Sequence, residues 1–137
     1  MKLRSVPFLL TGLALFGLGV AAGQIANGPA DSLQRTEIAR SDLSGAPGME
    51  VITSTMEYKP GDGIPRHRHH GIEAFYVLQG ATVQARGEKP MEIPTGSSKL
   101  NLRDEAHGGF VVIGDTSLKL FTVHIIDKDK PLYDSAW

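Results

Sequence analysis

The sequence of 137 residues carries 14 Lys and Arg against 15 Asp and Glu, a formal charge of −1, which excludes a strongly basic nucleic-acid binder. Its 41% hydrophobic and 21% charged residues are ordinary globular usage and exclude both wholesale disorder and a multi-span membrane protein. With no cysteine, the chain has no disulfide, no thiolate nucleophile and no Cys-held zinc or iron–sulfur site, so any metal must be bound by nitrogen and oxygen.

Taken in chain order, Lys2 and Arg4 precede an uncharged run from Val6 to Ala22 that closes on Ala21, Ala22 and Gly23, the plan of a secretory signal. Residues 1–23 are expected to be removed by cleavage after Ala22 or Gly23. The competing reading is a retained membrane anchor, which Pro7 and the glycines weaken as a helix. Cleavage leaves a charge of −3 and implies export, to a bacterial periplasm or the cell exterior, without stable membrane insertion. Residues 24–48, rich in Gly, Ala, Asp and Ser, read as a linker and an irregular N-terminal arm.

From Met49 onward short β-branched and aromatic segments alternate with turn signals, the pattern of a single all-β domain over residues 49–131, followed by a tail over 132–137. The expected strands are Glu50 to Tyr58, Arg66 to His69, Glu73 to Leu78, Ala81 to Arg86, Ser97 to Leu102, Gly109 to Ile113 and Lys119 to Ile126. Breaks fall at Pro60 to Gly63, Gly71, Gly80, Gly87 to Pro90, Pro94 to Gly96 and Gly114 to Ser117. So many short strands imply a sandwich or barrel.

Period two places His67 and His69 on one strand face, and Glu73 opens the next strand on a face shared with Phe75 and Val77. His107, after the polar turn Arg103, Asp104, Glu105, is positioned to close the shell. Three imidazoles and a carboxylate suit a divalent first-row metal (Fe, Mn, Co, Ni, Cu or Zn) and leave a coordination position for water or substrate. His70 faces away from the pair and reads as exposed or as a donor behind the ligands. His124, in an apolar strand, reads as a satisfied core imidazole or a pocket-lining group, and Arg66 and Arg68 as surface charges. Asp104 and Glu105 read first as an ordinary polar turn, with orientation of the His107 ring as the alternative. Phe75, Val77, Leu100 and Phe110 are core or cavity lining. Tyr76 and Leu78, with Met56 and Tyr58 in some registers, form an outward apolar face suited to a second subunit.

The spacing Gly61-(five)-His67-Arg68-His69-(three)-Glu73-(six)-Gly80 resembles the first motif of the cupin superfamily at every fixed position. The second motif is half matched: Gly96 and His107 hold their spacing, while Leu102, Asp104 and Val111 stand where Pro, Gly and Asn are usual. A competing frame puts Lys99 in the histidine slot, where its ammonium would repel a cation. The resemblance spans about Met49 to Pro131 and implies a double-stranded β-helix, the jelly-roll cupin barrel, with metal ligands at His67, His69, Glu73 and His107. It also implies a homodimer with N-terminal strands crossing between subunits. A cupin barrel that keeps its histidines without metal is the alternative.

Two functions fit these residues. One is a quercetinase-like, metal-dependent dioxygenase acting on a small organic substrate, with Glu73 both ligand and catalytic general base. The other is a non-catalytic periplasmic module that binds or senses a metal or small ligand. Metal-assisted isomerase or lyase chemistry is a third, for which acid and base groups beyond the shell are few.

Overall fold

The computed structural model describes residues 32–136, so the expected signal over 1–23 and the first part of the arm lie outside the described residues. Eleven strands follow in chain order: β1 (Arg35–Asp42), β2 (Met49–Tyr58), β3 (Gly63–Ile64), β4 (His67–Arg68), β5 (Gly71–Gln79), β6 (Ala81–Ala85), β7 (Met91–Ile93), β8 (Ser98–Asn101), β9 (Phe110–Ile113), β10 (Leu118–Asp127) and β11 (Asp134–Ser135). There is no helix among the described residues. A five-stranded sheet runs β1-β2-β10-β5-β8, a four-stranded sheet runs β3-β9-β6-β7, and β11 pairs with β4. Every pairing is antiparallel, as expected for a jelly roll.

The two longest strands set the interior. β2 turns Glu50, Ile52, Ser54, Met56 and Tyr58 inward, and β10 does the same with Leu118, Leu120, Thr122, His124 and Ile126. Their register, from Tyr58 opposite Leu118 to Glu50 opposite Ile126, aligns these inward rows. Met56, Tyr58, Leu118 and Leu120 join Ile64, Val77, Ala81, Val83 and Val112 in the apolar core between the sheets. Each large aliphatic side chain buried there contributes about 1.5–3 kcal/mol. Further along the same strands the inward side chains Ser54, Thr122 and His124 are polar, and this half of the barrel carries the site.

Several expected boundaries shift, for physical reasons. The arm is not irregular in the described part: Arg35–Asp42 pairs along β2, with a bulge between Glu37 and Ala39. It is an edge strand exposed along most of its length, so no burial alternation marks it in the sequence. Arg40 ties it to Glu37 and Glu50, and Arg35 donates to Ser54 Oγ at 2.6 Å. The strands β3, β7 and β11 have two or three residues, too short for periodicity, and fall at the edge of a turn, between two turns and in the tail. Gly71 is no break but the first residue of β5, where a Cβ would press on the Ile125 carbonyl and lie 2.6 Å from Ile126 Cα. Met56 and Tyr58 point into the core rather than outward, and Leu100 lies on the outer face instead of lining a cavity.

Candidate metal centre

His67 lies on β4, His69 just beyond it, Glu73 on β5, and His107 on the connection between β8 and β9. His67 and His107 exchange backbone hydrogen bonds at 2.9 and 2.8 Å, which fixes the two rings side by side. One donor atom from each of the four expected residues lies within 4.8 Å of the others. His69 and Glu73 are buried, His67 and His107 half-buried.

The protons of the three rings are set by the main chain. His67 Nδ1 donates to the Pro65 carbonyl at 2.7 Å, His69 Nδ1 to Leu132 at 2.6 Å, and His107 Nδ1 to Glu105 at 2.9 Å. A neutral imidazole that donates through Nδ1 presents a bare lone pair at Nε2, the atom a metal takes. His69 Nε2 lies 3.1 Å from His107 Nε2, and Glu73 Oε2 lies 3.3 and 3.2 Å from the two. Three lone-pair atoms so close repel one another unless a cation, or a second proton on a ring, sits among them. Metal–donor bonds of ~2.1 Å at right angles separate neighbouring donors by ~3.0 Å, so His69, Glu73 and His107 fit a divalent metal in both chemistry and spacing, and His67 completes the donor set within 4.8 Å.

Glu73 is held from several sides. Asn101 on β8 donates its side-chain amide to Oε2 at 2.7 Å, and His124 Nε2 stands 3.5 Å from Oε1. Burial pushes the Glu73 carboxyl up, but a second proton on the His107 or His69 ring, hydrogen-bonded to the carboxylate, and the charge of His124 outweigh this and hold it well below the usual carboxylate range. Burial likewise lowers His67, against the Pro65 carbonyl, and takes His124 down to about 4 despite the charge of Glu73. Both ring nitrogens of His124 lack a hydrogen-bond partner, as does the hydroxyl of Thr122, so this ring is not the satisfied core imidazole of one sequence reading.

Asn101 and the Glu73-facing role of His124 were missed by sequence reasoning. Register alone carried a signal, since Asn101 and His124 are the two residues paired directly across from Glu73. His70 lies outside the cluster and pairs with Asp134 at 2.9 Å. Glu105 orients His107 through its main-chain carbonyl rather than its carboxylate. Asp104, in a glycine slot of the motif, adopts φ 61°, so the left-handed turn survives the replacement.

A cavity of about 320 Å³ opens onto the cluster, with His67, Glu73 and His107 in its wall. Met56, Tyr58, Phe75, Ile93, Phe110 and Leu120 make most of that wall apolar. A larger hollow of about 500 Å³, beside Arg86 and Val111, contains none of the four clustered residues.

The family model described as "Cupin domain" matches residues 54–124, just over half of the chain. Among solved structures, the chain is similar to an uncharacterized conserved protein with a double-stranded beta-helix domain from Klebsiella pneumoniae, at 13% identity and TM-score 0.54 over 75% of this chain and 83% of that one. It is also similar to the polyketide cyclase RemF from Streptomyces resistomycificus, at 17% identity and TM-score 0.51 over 80% of this chain and 87% of that one. At such identities the likeness is one of fold. No curated protein matches the chain in sequence.

Proposed function

Because this chain belongs to the cupin family, we propose that it is a metal-dependent oxidoreductase of dioxygenase type that acts on a small organic substrate, exported from the cell by its N-terminal leader. The observation that carries the reading is the set of three backbone-anchored imidazoles presenting bare Nε2 atoms beside Glu73 at the wall of an apolar cavity. His67, His69, Glu73 and His107 would hold the metal. When bound, it supplies Lewis acidity and, if redox-active, one-electron chemistry with O₂. The chain's own residues do the rest: the apolar wall excludes water and packs the substrate body, and Asn101 fixes Glu73 Oε2. As the general base of this reading, Glu73 would accept a substrate proton at Oε1, the oxygen that Asn101 leaves free.

Elemental mass spectrometry on protein purified without a metal-affinity tag tests the reading. Near-stoichiometric iron, copper, nickel, cobalt or manganese is expected, lost in His67→Ala and His107→Ala, with O₂ consumption on adding a small catechol. Metal and ligand binding without turnover would identify a binding or sensing module instead; no metal after reconstitution would reject the oxidoreductase and leave a cupin-shaped binding protein.

A homodimer is part of the same proposal. Ile72, Tyr76, Leu78, Leu100 and Leu102 leave an apolar patch exposed beside and on the outer face of β5 and β8, which supports pairing through that face.

A further inference from the structure

The cavity that opens onto the metal cluster has a charged wall residue that the proposed chemistry leaves unused. Lys99 lies on β8, directly across from Phe75 on β5, and shares its strand face with Asn101, the residue that holds Glu73. Two residues along a strand are about 6.6 Å apart. Lys99 therefore stands on the same wall as the cluster, one side-chain row from Asn101.

Lys99 lines the cavity and has no ion-pair partner among the described residues. Among the described residues it is the only lysine or arginine in a lining that is otherwise mostly apolar. Glu92, the nearby acidic residue in the lining, accepts a hydrogen bond from Thr82 Oγ1 on the neighbouring strand. An exposed lysine on open surface is ordinary; one lysine at the edge of an apolar cavity that ends at a metal cluster is a recognition element. A single ammonium satisfies one carboxylate, whereas a phosphate would call for several donors.

Resting on the metal-centre reading, we infer that the substrate is a small carboxylate with an apolar body: Lys99 binds the carboxylate, the apolar wall takes the body, and the reacting end is directed at the cluster. The volume of about 320 Å³ is near the lower end for small-molecule sites, which limits the ligand to roughly one ring and a short chain.

The test is calorimetric titration of the full protein, metal-loaded and metal-free, with benzoate, phenylacetate, the neutral isostere benzamide and the cation benzamidine. The wild type is expected to prefer a carboxylate over benzamide by at least about tenfold in Kd. Lys99→Met should abolish that preference with metal content unchanged, and Lys99→Glu should turn it toward benzamidine, an inversion that loss of packing alone cannot produce. Equal carboxylate binding by wild type and Lys99→Met, or no binding of either carboxylate by the wild type, overturns the inference. Metal content, measured on the same samples, separates this result from failure of the metal-centre reading. If no metal is retained, the metal-free titrations decide the carboxylate question by themselves.

Discussion

At the scale of single residues, the site is a set of acceptors made compatible by their neighbours. The Pro65, Leu132 and Glu105 carbonyls decide which nitrogen of each ring is bare, so the main chain sets the ligand field before a metal arrives. Gly108 matters for the same reason. It has φ +75°, and a Cβ there would lie 2.6 Å from the Pro65 carbonyl oxygen and 3.3 Å from His67 Nδ1. Gly108→Ala is therefore expected to leave the barrel folded at a cost of about 1–2 kcal/mol of backbone strain and to weaken metal affinity about 10–100-fold, measured by competition with a chelating dye. Wild-type affinity in the variant would show that the Pro65 anchor is dispensable.

His124 gives a second test at this scale. Burial holds its ring near 4, below the ordinary 6.5, so the unfolded chain takes up a proton that the folded one refuses. Its contribution is complete above pH 6.5 and falls away as pH drops toward 4, a gap worth roughly 3 kcal/mol. Glu73, also lowered, adds a loss that begins as pH falls through the ordinary carboxylate value of 4.5. In metal-free protein, urea midpoints measured from pH 7.5 to 5 should decline for the wild type and decline distinctly less for His124→Gln. Parallel slopes would mean that the ring titrates normally.

At the scale of elements, the sequence carried what repeats and lost what is short or exposed. The alternation of Ile52, Met56 and Tyr58, and of Leu118, Leu120 and Ile126, makes β2 and β10 legible, and motif spacing alone groups His67, His69, Glu73 and His107. β1 escaped because an edge strand with most side chains in water has no inward row to betray it. β3, β7 and β11 escaped because two or three residues hold no period. His124 was legible as buried but not as a neighbour of Glu73, since that contact depends on the pairing of β10 with β5, between residues far apart in sequence. Asp104 carries a separate lesson: a motif glycine was replaced, yet aspartate tolerates the left-handed backbone well enough to keep the turn.

At the scale of the whole molecule, one face of the five-stranded sheet is covered by the barrel interior and the other leaves Tyr76, Leu78 and Leu100 in water. If two copies meet there, Leu100→Glu and Tyr76→Glu should convert dimer to monomer in sedimentation velocity while the barrel stays folded. A wild type that sediments as a monomer at tens of micromolar would remove the dimer from the proposal. The interior itself is divided along its length: the inward rows of β2 and β10 are apolar at Met56, Tyr58, Leu118 and Leu120 and pass through the polar Ser54, Thr122 and His124. Replacing Thr122 and His124 by aliphatic residues of similar volume would extend the core through the barrel and remove buried polar groups that now lack partners, while Ser54 stays as the acceptor for Arg35. Such a chain should melt higher and do nothing. The polar half of the interior is thus the weak end of the fold, and a search for thermostable variants of this protein would drift toward erasing its chemistry unless metal retention were screened at the same time.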